Sequence, residues 1–231
     1  MLPSANCLGC ELVRQPDRHS TKAILEIAMA QDQVNWDERY QTKNTPWDSG
    51  EVSVELRRVV GEGWFKPSRM LEIGCGTGTN AVWLAQQGFT VTAFDLSPLA
   101  IEQARARADK ARVDVRFFVG NALELPDLGE PFPFVFDRGV YHHLRSVDLA
   151  GFRKTLERMT TPGSYYLTLA GNGNEQGPPE NGPPTVLAHE IVAELGPIFH
   201  LVQLREFRFD GVVIQERPVR PLGWSILSRR K

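Results

Sequence analysis

The sequence predicts an α/β domain, a doubly wound and mostly parallel seven-stranded sheet that ends in a C-terminal antiparallel hairpin. Three observations carry that expectation. From residue 69 onward, short apolar runs alternate with stretches of helical periodicity. The first of these runs empties into a glycine loop, "MLEIGCGTGTNAVWLA" at 70–85, and the chain after residue 198 reads as extended. At 231 residues and 42% hydrophobic content, the chain can bury the core that such a domain needs.

In order, "RMLEI" reads as a buried strand, "TNAVWLAQQ" as a helix stopped by Gly88, and "TVTAFD" as a second strand ending on Asp95. Ser97 and Pro98 form a helix start, N-cap then proline at the first helical position, for "LAIEQARARADKA". "VDVRFFVG" is the third strand and "FPFVFD" the fourth. Leu149, Phe152, Leu156 and Met159 recur at helical spacing before Gly163 introduces the fifth strand, "YYLTLA". Strands alternating with helices imply right-handed crossovers and a sheet covered on both faces. A Gly/Pro/Asn-rich loop at 171–184 leads to an amphipathic helix expected from Thr185 to Leu195. "FHLVQLREFRF", the turn signal Asp210-Gly211 and "LGWSIL", with Leu222, Trp224 and Ile226 on one side, form the hairpin. Upstream, residues 21–61 carry two further helical patterns around "NWDERYQTKNTPWDSG". The expected organisation is a mobile tail at 1–18, helices and a lid at 19–61, and the main domain at 62–231.

A formal charge of −2 exerts no global pull toward nucleic acid or anionic lipid, and the local cluster Arg105, Arg107, Lys110, Arg112 and Arg116 reads as a solvated helix face. No apolar stretch approaches the ~20 residues needed to cross a bilayer, and no secretory leader is visible, so a cytoplasmic location is expected. Three cysteines make no disulfide framework. Cys7 and Cys10 lack a second Cys or His pair at zinc spacing, and no metal site is expected; His19, His189 and His200 take no role.

A dinucleotide fold wants GxGxxG, but here Gly74, Gly76 and Gly78 place the third glycine one residue early, with Thr79 in the dinucleotide position. With Glu72 two residues ahead, this spacing resembles motif I of class I S-adenosylmethionine methyltransferases. Such a loop needs backbone bare enough for the methionine and ribose portions to lie against it. Asp95 at the second strand's end can accept from ribose hydroxyls in either cofactor class. Gly120-Asn121-Ala122-Leu123 resembles the motif in which an Asp or Asn side chain and adjacent backbone hold the adenine. The resemblance spans roughly 36–230 and implies that Glu72, Gly74, Cys75, Gly76, Thr77 and Gly78 form the cofactor loop. Asp95, Leu96, Ser97, Asn121 and Ala122 are its implied partners on the adenosine side.

"NWDERYQTKNTPWDSG" is similar to the N-terminal segment of the thiopurine and tellurite-resistance (TehB-like) methyltransferases, and "DRG" at Asp137–Gly139 to the thiopurine group after its fourth strand. "VYHHL" departs from that group toward the wider small-molecule superfamily. The resemblance makes residues 36–50 a lid in which Trp36, Tyr40 and Trp47 exclude water and face the sulfonium. Acceptors reach the methyl from the carboxyl ends of the central strands, so Arg138, Tyr141 and His142 are the expected acceptor-handling residues. Arg138 pairs with an anionic group of acceptor or cofactor. Adjacent Tyr141, His142 and His143 cannot all face one cavity; one histidine is structural, and His142 is preferred as general base, with His143 as its substitute. The expected reaction is methyl transfer to a small-molecule acceptor, S-directed in preference to O or N. The absence of N-P-P-Y after the fourth strand speaks against base or protein-amide N-methylation. A non-catalytic S-adenosylmethionine-binding protein and, less favoured by the glycine spacing, an NAD(P)-dependent oxidoreductase are the alternatives.

Overall fold

Strands β1 (Arg69–Ile73), β2 (Thr90–Asp95), β3 (Val115–Val119), β4 (Phe134–Arg138) and β5 (Tyr165–Asn172) form where the apolar runs lie. The structure is a computed structural model that describes residues 34–176, 184–214 and 217–231. The five strands pair in parallel in the order β3-β2-β1-β4-β5. The strand order reverses between β1 and β4, and this opens a crevice beyond their carboxyl ends.

Helices α1 (Trp36–Gln41) and α2 (Val54–Gly61) precede the sheet. Between its strands lie α3 (Thr79–Gln86), α4 (Pro98–Ala111) and α5 (Tyr141–Met159). The predicted caps are in place: Ser97 accepts from the Ala100 N–H, Pro98 is the first helical residue, and Gly88 takes φ +89° after α3. The two core clusters occupy opposite sheet faces. Leu71, Val135, Tyr141, Phe152 and Tyr166 pack on one, and Leu56, Val59, Phe134, Phe136 and Leu167 on the other. Because α2 contributes Leu56 and Val59, residues 35–231 form one unit with no break at 61/62.

The C-terminal part differs in detail from expectation. Thr185–Val186 form a short strand, β6, because β5 runs on to Asn172 and offers Gly171 and Asn172 as partners; helix α6 begins only at Ala188 and ends at Leu195. Glu190 caps α6 by accepting from the Leu187 N–H at 2.7 Å. The helix expected around Leu149 reaches back to Tyr141. It kinks at Asp148, which leaves helical geometry and accepts from the Gly151 N–H as a fresh N-cap.

The expected hairpin forms between β7 (Phe199–Arg208) and β10 (Leu222–Arg230), with a second small hairpin, β8 (Val212–Ile214) and β9 (Arg217–Val219), inserted between them. β10 lies antiparallel between β5 and β7. Its residues 223–228 are therefore buried on both faces, although Trp224 and Ile226 do share one. Cys7, Cys10, His19 and the expected mobile tail lie outside the described residues.

Candidate functional site

β1 delivers the chain into the glycine loop, where Gly74, Gly76 and Gly78 all adopt positive φ, a region costly for residues with a Cβ. The sequence reading leaves these positions bare for a cofactor, whereas the structure shows the protein itself filling the space. A Cβ at Gly78 would sit 2.8 Å from the Ala104 Cβ on α4 and one at Gly76 would sit 2.9 Å from the Tyr40 hydroxyl, while Gly74 abuts Val140. Cys75 is buried, its thiol pKa pushed up by burial, and its N–H donates to the Phe94 carbonyl. Thr77 is a junction. Its hydroxyl donates to Asp48 at 2.8 Å, and both that hydroxyl and its carbonyl accept from Arg107.

Asp95 ends β2 with one carboxylate oxygen accepting from the Gly76 N–H at 2.8 Å and the other from the Ser97 N–H at 3.0 Å. Burial pushes its pKa up, and those N–H bonds oppose the shift. Leu96, the next residue, is 51% exposed at the crevice mouth. Asn121 turns its side-chain oxygen onto the Leu123 N–H at 3.0 Å, and the Ala122 carbonyl accepts from the Thr155 hydroxyl, so this segment is built first as a turn. Glu72 is 1% exposed, has one oxygen without a hydrogen-bond partner, and is pushed by burial to a pKa of about 8, the Asp95 and Asp137 charges adding to the shift. It lies within β1, beneath the glycine loop.

Residues 36–48 cross this crevice. The Trp36 and Trp47 rings meet edge-on at 5.5 Å, Trp36 meets His143 at 5.2 Å, Tyr40 meets Trp47 at 6.4 Å, and the Arg39 guanidinium lies 4.6 Å from the centre of the Trp47 ring. Tyr40 is buried, and burial raises its phenol pKa. The polar residues of the segment make specific contacts: Asp37 accepts from the Ser97 hydroxyl at 2.6 Å and from the Leu99 N–H at 3.2 Å.

The β4–α5 junction corrects part of the expected acceptor site. Asp137, fully buried, accepts from the Val140 and Tyr141 N–H groups and from the Tyr166 hydroxyl, which fixes where α5 starts. Tyr141 points away from the crevice: it is fully buried and donates to Glu194 at 2.6 Å, a carboxylate also held by Arg145. His142 is 7% exposed, and its Nδ1 accepts from the Gly171 N–H at 2.7 Å. β5 outruns β4 at that point, and the imidazole satisfies the N–H that a longer β4 would have taken. Burial first, then the His143, Arg138 and Arg145 charges, lower its pKa to about 3. With Nδ1 accepting, the neutral ring carries its proton on Nε2, an arrangement that weighs against His142 as the expected base. Arg138 donates to the Trp47 carbonyl at 2.7 Å and lies over the Phe209 ring, beside a small hollow lined by Ser49, Val52, Phe207 and Asp210. Through that bond it ties the 36–48 segment to the end of β4.

Asp37, Asp48 and Arg107 are site residues that the sequence reading passed over. The two acids stand beside Trp36 and Trp47 in the quoted segment, while Arg107 reads as one of a solvated basic face. Among the described residues no three His, Cys, Asp or Glu side chains converge as a metal site, and no helix is long and apolar enough to cross a membrane.

The donor set fits an adenosyl cofactor. Asp95 keeps lone pairs beyond its two N–H bonds for ribose hydroxyls, the exposed Leu96 offers an apolar face for a purine, and aromatic rings roof the loop where a sulfonium would lie.

Residues 70–163 match the family described as methyltransferase domain. The chain is 25% identical over 147 residues to the 2-heptyl-1-hydroxyquinolin-4(1H)-one methyltransferase of Mycobacteroides abscessus, covering 63% of this chain and 64% of that protein. It spans between 32% and 43% of other curated methyltransferases that it matches. A solved structure concerned with conversion of a disulfide bond into a thioacetal group during echinomycin biosynthesis aligns with a TM-score of 0.70 and 25% identity, over 80% of this chain and 84% of that one. TehB from Haemophilus influenzae aligns with a TM-score of 0.64 at 19% identity, over 76% and 62%. Residues 70–163 carry that methyltransferase domain, and the fold is that of the class I S-adenosylmethionine methyltransferases. S-adenosylmethionine is the cofactor that the matched domain and this fold imply.

Proposed function

We propose that this chain methylates a small-molecule hydroxyl in the space between the aromatic lid and the β4–α5 junction. The observation that supports it best is the lid itself, whose rings Trp36, Tyr40 and Trp47 reach from the glycine loop to His143 at the start of α5. S-adenosylmethionine supplies the activated methyl group when bound. The chain's residues exclude water, orient the acceptor and receive its proton. His143, which packs on Trp36, is the side chain assigned to that proton, and Asp137 holds it in place through the N-terminus of α5. Phe207 and Phe209, beside Arg138, offer the acceptor an aromatic surface near the end of β4. The hydroxyl reading follows the hydroxyquinolone named for the Mycobacteroides relative.

A thiol acceptor is the second reading, favoured by the sulfur chemistry of the thioacetal-forming neighbour and by the low demand of a thiolate for a base. Methyl release from labelled S-adenosylmethionine, screened across phenols, N-hydroxy heterocycles and thiols, separates the two. Cofactor binding without turnover on any acceptor would favour a non-catalytic protein, and binding of NADH in place of S-adenosylmethionine would refute both readings.

A further inference from the structure

The lid spans the crevice and is tied down on both rims, and the ties differ in kind. On the β4/β8 side they are backbone carbonyls of the lid: the Trp47 carbonyl accepts from Arg138 at 2.7 Å and the Pro46 carbonyl from the Val213 N–H at 3.1 Å. On the cofactor-loop rim they are two carboxylates. Asp37 takes the Ser97 hydroxyl and the Leu99 N–H at the start of the 14-residue helix α4, where the helix dipole favours an anion. Asp48 takes the Thr77 hydroxyl in the middle of the glycine loop, and Arg107 of α4 braces Thr77 from behind through two hydrogen bonds.

Each acid is the lid's side of a charge-assisted contact, and each lands on an element that also forms the cofactor loop or its flank. Ser97 is in addition the N-cap of α4 and donates its backbone N–H to Asp95. Between the two contacts Tyr40 lies with its hydroxyl over Gly76. Both acids thus tie the segment to the elements it covers.

We infer that Asp37 and Asp48 are twin latches of the lid, positioning residues whose release sets how fast cofactor and product exchange at the proposed methyl-transfer site. The inference rests on that reading for the identity of the ligand, but the latching itself is a property of the chain alone. Losing a hydrogen bond to a charged group releases a segment by roughly ten- to a hundredfold in its opening equilibrium.

Hydrogen exchange on the full chain, without ligand, compares wild type with Asp37→Ala, Asp48→Ala and the double variant. Amides of residues 36–48 are expected to exchange at least tenfold faster in each single variant, while those of β1, β4 and β5 in the same samples keep wild-type protection. Asp48→Ala should add nothing further in a Thr77→Val background, and Asp48→Asn, which still accepts from Thr77, should restore most of the protection. Stopped-flow fluorescence of Trp36 and Trp47 should then show S-adenosylhomocysteine leaving faster from the alanine variants by a similar factor. Unchanged exchange in 36–48, or faster exchange spread equally over the core strands, would overturn the latches. Failure of the wild type to bind S-adenosylhomocysteine would instead count against the proposed function, with the exchange result deciding the latches independently.

Discussion

Replacing Glu72 with glutamine tests the buried acid beneath the glycine loop. Glu72 is 1% exposed and is pushed from the usual 4.5 to about 8, burial being the largest cause and the charges of Asp95 and Asp137 adding to it. Its folded-state pKa lies above the unfolded one, so between pH 4.5 and 8 the folded chain holds a proton that the unfolded chain releases. The stabilisation from this group is fully present below pH 4.5 and is lost as pH rises through 8. At about 1.4 kcal/mol per pH unit, a displacement of that size bounds the loss at roughly 5 kcal/mol. Glutamine keeps the shape and cannot ionise. Urea unfolding at fixed steps from pH 5 to 8.5 should therefore show the variant's stability gaining on the wild type across that range, with Asp95 and Asp137 acting similarly in both proteins. Parallel profiles for the two proteins would refute the reasoning, because they would mean that Glu72 titrates alike in folded and unfolded chains.

The opposite sign holds for His142, whose pKa falls from 6.5 to about 3; its contribution is present above pH 6.5 and is lost on acidification toward 3, so His142→Gln should be less acid-sensitive than wild type in the same urea titration. Since glutamine can still accept from the Gly171 N–H, that variant should retain turnover, whereas His143→Gln should lower kcat by roughly 10²–10⁴-fold; the reverse ranking in a methyl-release assay would return the base role to His142. Gly78→Ala combines φ +78° with a Cβ 2.8 Å from Ala104 and should cost about 2–5 kcal/mol in chemical denaturation, a loss under 1 kcal/mol contradicting the packing argument. Arg138→Gln breaks the bond to the Trp47 carbonyl and should weaken S-adenosylhomocysteine binding by roughly tenfold in calorimetry; unchanged affinity would free Arg138 from the lid.

The parallel sheet and its order of helices were legible in the residues because they rest on local signals. Ser97-Pro98 caps α4, Gly88 closes α3, and largely apolar runs of five or six residues mark β1, β2 and β4, each a consequence of backbone and side-chain geometry within a few positions. The turn of the glycine loop was legible for the same reason, as a spacing of three glycines that all take positive φ.

The partner of each polar side chain was not legible in this way. Tyr141, His142 and His143 are consecutive, and the helix that carries them sends the first to Glu194, the second to Gly171 and the third to Trp36. Which histidine faces the lid depends on where Asp137 starts α5 and on β5 outrunning β4, both matters of register between distant segments. Arg107 likewise looks like surface charge until Thr77, thirty residues earlier, is folded against it. Periodicity and capping are set by neighbours along the chain, so the sequence by itself determined the elements and their class. Partner choice among buried polar groups is set by which donors and acceptors the packed sheet leaves unsatisfied, and that was decided only in the tertiary structure.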